Sequence, residues 1–289
     1  MKAIIPELFA ICAAVCWSLI VILIRKGLLT LTTPAGLIVN LCVATITLWL
    51  FAIIFTPSLI LNSEAIMFLV LGGIFGEFLG VYVLYASIRR VGAAITGSLV
   101  GIHPLFSSLL AITFIGEKIT LLIFLGTISI IIGVGIISRT GDGHRWKFRK
   151  LYLFIPILAG LFWGLADTVR KLGIDLQNAP FLAAAIGVSA ALVCLTLILG
   201  YRREISFPIK EKGSRYFVAT GLIMSLGIVA LFLALRLGTV IVVAPLVSTS
   251  PLFTLLFSHV FLKGVEKVTP SLVIGAVVIV FGSALVAIG

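Results

Sequence analysis

Two similar stretches of apolar sequence make up almost the whole chain, and this duplication limits its fold more than any other feature. Residues from about 5 to 138 are repeated by residues from about 151 to 288, roughly 146 to 149 positions later. Three repeated motifs keep the same order in both stretches: Trp17 and Trp163, Arg90-Val91-Gly92 and Arg236-Leu237-Gly238, and Pro104-Leu105-Phe106 and Pro251-Leu252-Phe253. The fold must therefore accommodate two copies of one structural unit.

The composition places both copies in a lipid bilayer. Of 289 residues, 61% are hydrophobic and only 11% are charged, which is too little polar surface for a water-soluble protein of this size. Because a helix needs about 20 apolar residues to cross the hydrocarbon, the apolar runs predict ten transmembrane helices. The predicted spans are 5–24, 34–56, 65–88, 91–114, 120–138, 151–169, 180–200, 216–234, 239–262 and 269–288.

The basic residues predict the orientation of these spans. The net charge is +11, yet Lys and Arg lie in short loops and form no basic domain, so we expect no nucleic-acid partner. Sixteen of the 21 Lys and Arg residues follow spans 1, 3, 5, 7 and 9. The positive-inside rule therefore places the odd-numbered loops in the cytoplasm and both termini outside. Since each half has five spans, the second half must be inverted relative to the first.

These observations predict an all-α protein of the cell membrane with ten helices in two inverted five-helix repeats. The first repeat covers residues 1–138, a basic linker covers 139–150, and the second repeat covers 151–289. The chain has no phosphate-binding glycine loop followed by Lys, no metal-ligand cluster and no nucleophile with a nearby base. We therefore expect no cofactor, no metal site and no enzyme activity.

Ionisable side chains inside the spans are the first candidates for a site, because each is costly in hydrocarbon unless it meets a partner or water. Glu77 lies in the middle of span 3 and His103 in the middle of span 4, each 13 positions from Arg90 at the turn between the spans. They should lie at the same depth. One hypothesis is a titratable pair that takes up a driving proton or holds a substrate ammonium; the alternative is a hydrogen bond that only locks the two helices.

Asp167 and two tryptophans extend the candidate set. Asp167 lies near the end of span 6, where Arg170 and Lys171 follow at i+3 and i+4, so a surface ion pair is a sufficient explanation and a role in the site is the other. Trp17 and Trp163 lie within spans and either line a cavity or pack in the core. Tyr85, Ser248 and Thr249 complete the residues that we expect to contact substrate or take part in coupling.

Prolines and glycines predict local departures from regular helix. Pro104, Pro245 and Pro251 interrupt spans 4 and 9, and each removes one amide donor. The hydroxyls near them either repair the helix or contact substrate: Thr96, Ser98, Ser248, Thr249 and Ser250. In span 3 the stripe Gly72, Gly76 and Gly80 predicts the close approach of another helix. Gly126/Gly133 and Gly275/Gly282 predict similar contacts on spans 5 and 10, either within the chain or in a homodimer.

Taken together, the repeated motifs resemble the drug/metabolite transporter superfamily, in its ten-helix branch with two EamA-type halves. The motifs that carry the resemblance are Trp17-Ser18 and Trp163-Gly164, Arg90 to Gly92 and Arg236 to Gly238, and the Pro-Leu-Phe runs that lead to Glu117-Lys118-Ile119-Thr120 and Glu266-Lys267-Val268-Thr269. Many relatives carry Glu before the proline of the fourth helix, where this chain has His103, with Ser250 in the second half.

The resemblance implies a secondary transporter of small metabolites, often an exporter, with a central cavity lined by helices 1, 3, 4, 6, 8 and 9 and with helices 5 and 10 at the periphery. One Glu and one His near tryptophans and hydroxyls would suit a zwitterionic metabolite such as an amino acid. Export of cationic or toxic compounds is one alternative. A membrane binding or assembly protein without transport is another.

Overall fold

In a computed structural model of the protein, ten helices have their bounds in the described part of the chain. Residues 5–56, 62–103, 105–106, 109–110, 113, 120–138, 150–176, 179–201, 203, 211–237, 246–247, 249–263 and 268–288 are described. The helices are α1 (Ile5–Gly27), α2 (Thr33–Phe55), α3 (Ser63–Val91), α4 (Ala93–Val100), α5 (Leu121–Ser138), α6 (Phe154–Leu176), α7 (Pro180–Tyr201), α8 (Ser214–Leu237), α9 (Ser250–Phe261) and α10 (Pro270–Ile288).

Local sequence signals explain several of the helix ends. Asn62 begins α3, because its side chain accepts a hydrogen bond of 3.0 Å from the amide of Glu64. Pro34 lies in the first turn of α2, where a missing amide donor costs nothing. Gly92 separates α3 from α4 with φ of 90°, a backbone conformation that glycine adopts far more readily than other residues. The tight hairpin predicted between spans 3 and 4 is therefore confirmed.

Lengths and compositions agree with a protein that crosses the bilayer many times. Six helices in the described part are long and apolar enough to span a membrane: Ile5–Gly27, Thr33–Phe55, Ser63–Val91, Leu151–Arg170, Pro180–Tyr201 and Ser214–Leu231. Shorter apolar helices are found at Leu121–Ile137, Ser250–Phe261 and Pro270–Val286. The protein is an all-α membrane protein with two five-helix repeats.

Contacts between helices follow the two-fold pattern of an inverted repeat. Helix α1 packs against α8 and α3 packs against α6. If each helix is replaced by its equivalent in the other repeat, the contact of α1 with α8 becomes the contact of α6 with α3. The same exchange leaves three other contacts unchanged: α2 with α7, α4 with α9, and α5 with α10. The two repeats therefore interlock through equivalent surfaces on every helix pair.

Helices α5 and α10 show directly that the halves run in opposite directions. A Cβ atom built on Gly126 would lie 2.6 Å from the carbonyl oxygen of Gly282, and one built on Gly133 would lie 2.8 Å from that of Gly275. The earlier glycine of α5 meets the later glycine of α10, and the later one of α5 meets the earlier one of α10, so the two helices are antiparallel. Each is the last helix of its repeat, and parallel repeats would make them parallel. The glycine faces predicted from the sequence thus pack within one chain, and a homodimer through these helices stays a prediction.

Gly133→Ala is expected to destabilise the protein through this contact. Its methyl group would meet the Gly275 carbonyl oxygen at 2.8 Å and the Ile279 amide nitrogen at 3.0 Å, and backbone atoms cannot move aside. Overpacking of this kind costs about 1–3 kcal/mol. Thermal unfolding in detergent measures the change.

Gly135→Ala in the same helix is the matched control, because no atom outside the neighbouring backbone of that helix lies within 4 Å of the Gly135 Cβ position. Both substitutions improve helix propensity equally. A Gly133→Ala protein as stable as the Gly135→Ala protein would contradict the tight contact between α5 and α10.

Candidate functional site

A short π-helix in α3 is the starting point of the site. Residues Ile74–Gly80 form this segment, with Glu77 at its centre. The amide of Val81 donates to the carbonyl of Gly76 across the wider turn. Such segments inside α-helices occur often at functional sites, because one inserted residue redirects the side chains around it. Glu77 is also the midpoint of the 29-residue helix, which places it near the middle of the membrane.

Helix α6 packs into the glycine stripe of α3. A Cβ atom on Gly72 would lie 2.6 Å from Cγ of Arg170, and one on Gly80 would lie 2.8 Å from Cδ1 of Trp163. The indole nitrogen of Trp163 donates a hydrogen bond of 3.2 Å to the carbonyl oxygen of Gly76 in the π-helix. The predicted close approach is therefore confirmed, and the stripe provides room for two large side chains of the second repeat.

Arg170 reaches across this contact to Glu77. Its guanidinium forms an ion pair and hydrogen bond with the Glu77 carboxylate, and Nη2 also donates to the carbonyl oxygen of Gly72 at 3.4 Å. On its own helix, Nη1 lies 3.7 Å from Oδ1 of Asp167. The intrahelical pair that the sequence suggested is present, and Arg170 also reaches Glu77 on α3, so a surface pair alone does not describe its contacts. Helix α6 continues to Leu176, beyond the predicted end at 169, so Arg170 lies within the helix and faces α3.

His103 joins the same group from the fourth span. Its Nε2 atom lies 3.7 Å from Oδ2 of Asp167, and its ring meets the Trp163 ring edge-on with centroids 6.5 Å apart. The span expected to contain His103 is interrupted: α4 stops at Val100, a turn covers Gly101 and Ile102, and His103 is helical again. Glu77 and His103 are thus connected through α6. We call Glu77, Arg170, Asp167 and His103 the charged network.

Exposure rises from one end of the charged network to the other. The side chain of Glu77 is 14% exposed and that of Arg170 is 28% exposed. His103 is 33% exposed and Asp167 is 45% exposed. His103 and Asp167 are therefore more accessible than Glu77, which pairs with Arg170.

The two tryptophans occupy related places in the two repeats. Trp163 packs on α3, and Trp17 packs on α8, where a Cβ atom on Gly227 would lie 3.8 Å from its Cη2 atom. These are the two contacts that the pseudo-two-fold exchange relates. Only the α3–α6 contact contains the charged network, because the second repeat has Ile223 at the position that matches Glu77.

The remaining candidates lie elsewhere. Tyr85 is fully buried and stacks on Phe217 with ring centroids 5.6 Å apart, so in this conformation it touches only protein. Thr249 is half-buried and its hydroxyl donates to the carbonyl oxygen of Leu246 at 2.6 Å. Their roles toward substrate stay predictions. Ser248, Pro104 and Pro245 lie outside the described residues.

Helices α4 and α9 pack against each other, and hydroxyls of neighbouring helices contact backbone carbonyl groups near their ends. Pro251 lies in the first turn of α9, and its Cγ would be 2.8 Å from a Cβ atom on Gly101. Ser283 donates to the Gly101 carbonyl oxygen at 2.6 Å, and Ser18 Oγ lies 2.7 Å from the carbonyl oxygen of Ser250. Ser283 and Ser18, which are not among the hydroxyls predicted at the breaks, therefore contact the backbone there.

Arg170 is the site residue that sequence reasoning missed. A signal for it existed, since a carboxylate in mid-membrane needs a cation, and the glycine stripe beside Glu77 showed that a second helix comes close. The sequence did not show which helix fills the stripe, or which way Arg170 turns on it.

Comparisons with known proteins agree with this architecture. The EamA-like transporter family matches residues 4–139 and 150–288. A protein of Archaeoglobus fulgidus named an uncharacterized transporter is 25% identical over 276 residues, which cover 94% of each chain. An uncharacterized protein of Methanocaldococcus jannaschii is 27% identical over 136 residues, 47% of this chain and 96% of its own. That relative has about the length of one repeat. A crystal structure with 15% identity shares the fold, with a TM-score of 0.67 over 97% of this chain and 95% of the other.

A double-mutant cycle on Glu77→Gln and Arg170→Gln tests the ion pair. Each single variant leaves one charge without its partner near mid-membrane, which costs about 3–5 kcal/mol in a fully buried pair. Because Arg170 is 28% exposed, we expect about 2–3 kcal/mol for each. Chemical or thermal unfolding in detergent measures the loss.

The double variant should be more stable than the sum of the two losses predicts, by at least about 1 kcal/mol. Strict additivity of the two substitutions would show that the two charges do not interact in the folded protein.

Proposed function

The chain belongs to the EamA-like transporter family, and we propose that it is a secondary active transporter that exports small organic metabolites by alternating access. Family membership and the transporter-named relative point to a membrane transporter rather than an enzyme. The observation that carries the finer proposal is the charged network at the contact between α3 and α6. Ionisable groups near mid-membrane mark substrate and proton pathways in such proteins.

Position gives the charged network a means of coupling. Glu77 belongs to the first repeat, whereas Arg170 and Asp167 belong to the second, so the ion pair holds the two repeats together. Protonation of Glu77, or a substrate carboxylate that competes for Arg170, would weaken that attachment. The repeats would then be free to move past each other, which is the motion that alternating access requires.

The charges also favour a particular substrate class. Asp167, the most exposed member, can receive a substrate ammonium, while Arg170 three residues later can bind a carboxylate. The Trp163 ring beside His103 provides an aromatic surface for an apolar part of the molecule. This arrangement supports a zwitterionic metabolite, such as an amino acid, as the transported solute.

Export of cationic or toxic compounds is the second candidate. The 45% exposure of Asp167 favours it, because an accessible carboxylate would attract a cation. Glu77 is a poorer anchor for a cation than the sequence suggested, since Arg170 already neutralises it. A binding or assembly protein without transport would instead bind its ligand in fixed stoichiometry and produce no flux.

Charge bias supports the proposed orientation in the cell membrane. The last turn of α3 carries Arg89 and Arg90 beside the loop to α4, and Lys212 and Arg215 lie where α8 begins. We place these loops in the cytoplasm and both termini outside. Labelling of single introduced cysteines by a membrane-impermeant reagent distinguishes this orientation from its reverse.

Transport assays in proteoliposomes test the proposal. Labelled amino acids should show saturable flux that a pH gradient accelerates. Glu77→Gln should abolish the effect of the gradient, because the neutral side chain can neither release a proton nor hold Arg170. His103→Ala should reduce flux at least several-fold, since it removes the group beside Asp167.

Matched controls come from the same chain. Glu211→Gln and His259→Ala replace exposed residues that lie away from the charged network and should leave flux unchanged. Unaltered gradient dependence in both Glu77→Gln and His103→Ala would remove the coupling role. No saturable flux of any amino acid, together with flux of organic cations, would favour the second candidate.

A further inference from the structure

A cationic cleft far from the charged network lies where three helix ends meet. Its walls come from the end of α1, the beginning of α8 and the end of α9. In sequence these segments adjoin the loops after α1, α7 and α9. All three are odd-numbered loops, which the positive-inside rule places in the cytoplasm. The cleft therefore opens at one membrane surface, and it joins the first repeat to the second.

Three cations line this cleft. They are Lys26 from α1, and Lys212 and Arg215 from the beginning of α8. Lys26 Nζ lies 5.4 Å from the centroid of the Phe261 ring, and Arg215 stacks over Tyr216 and donates to its hydroxyl at 3.1 Å. Within the described part of the chain none of the three forms an ion pair. Aromatic rings orient Lys26 and Arg215, and no carboxylate in the described part of the chain pairs with any of the three.

The helix that begins in the cleft adds to its positive potential. Helix α8 starts at Ser214 and is 24 residues long, so the positive end of its dipole lies beside Lys212 and Arg215. Gly213 brings this end close to α1, because a Cβ atom there would lie 3.1 Å from the carbonyl oxygen of Gly27. Cations and a helix N-terminus together favour a phosphate group.

Apolar side chains make the cleft amphipathic. Leu29 is 61% exposed and Phe261 is 49% exposed, and both lie among the lining residues. Exposed apolar side chains do not stabilise a free phosphate ion, whereas a phospholipid has both an anionic headgroup and apolar acyl chains. Aromatic and basic residues at a membrane surface are the usual contacts for that combination.

We propose that this cleft binds the headgroup phosphodiester of an anionic phospholipid in the cytoplasmic leaflet. Lys212 and Arg215 contact the phosphate oxygens, and Lys26 contributes the charge of the first repeat. The first acyl carbons lie against Leu29 and Phe261. One lipid molecule thereby bridges the two repeats at a place separate from the charged network.

Native mass spectrometry of the full chain in detergent tests the proposal. Dioleoylphosphatidylglycerol should bind more strongly than dioleoylphosphatidylcholine and should raise the thermal unfolding temperature more. The variant Lys212→Gln/Arg215→Gln should lose this preference, by about fivefold in affinity for each cation removed. Inorganic phosphate alone should give no stabilisation.

The control variant Arg89→Gln/Arg203→Gln removes two exposed arginines outside the cleft and has the same net charge as the test variant. It should keep the preference for the anionic lipid. Equal binding of both lipids, retention of the preference in the cleft variant, or its loss in the control variant would each overturn the proposal. Stabilisation by inorganic phosphate equal to that by the anionic lipid would overturn the assignment to a lipid. Unfolding without added lipid shows that both variants are folded.

Discussion

The ion pair between Glu77 and Arg170 is the interaction on which the centre of this membrane protein depends. A carboxylate near the middle of hydrocarbon is tolerated only with a cation or water beside it. Arg170 can supply that cation because Gly72 and Gly76 leave room on α3 for its long side chain. The glycine stripe, the π-helix and the position of α6 are therefore parts of one solution to the cost of a buried charge.

This interaction also lies at the contact between the two repeats. The equivalent contact of α1 with α8 is related by the pseudo-two-fold exchange and has Trp17 against α8. It lacks the acid–base pair, since Ile223 occupies the place of Glu77. Duplication thus provided two similar contacts, and only one of them acquired charge.

Helix breaks near the charged network are held by hydroxyls from other helices. Ser283 of α10 donates to the carbonyl oxygen of Gly101, and Ser18 of α1 lies beside that of Ser250. Hydrogen bonds to backbone carbonyl groups are stabilising where water is absent, so these contacts support the packing of α4 against α9. His103 lies three residues beyond the end of α4 and 3.7 Å from Asp167, so the site adjoins this packed region.

Apolar run lengths, duplication and charge bias determined the fold class and the inverted repeat from sequence alone, and glycine spacing predicted which helix faces pack closely, because these features depend on composition and spacing along the chain. The tertiary structure decided which helices meet. Arg170 seemed to belong to a surface pair with Asp167, and only the packing of α6 on α3 turns it toward Glu77. A charged side chain in a membrane pairs with an opposite charge on whichever helix lies nearest in space. The spacing of residues along the chain does not give the distance between two helices.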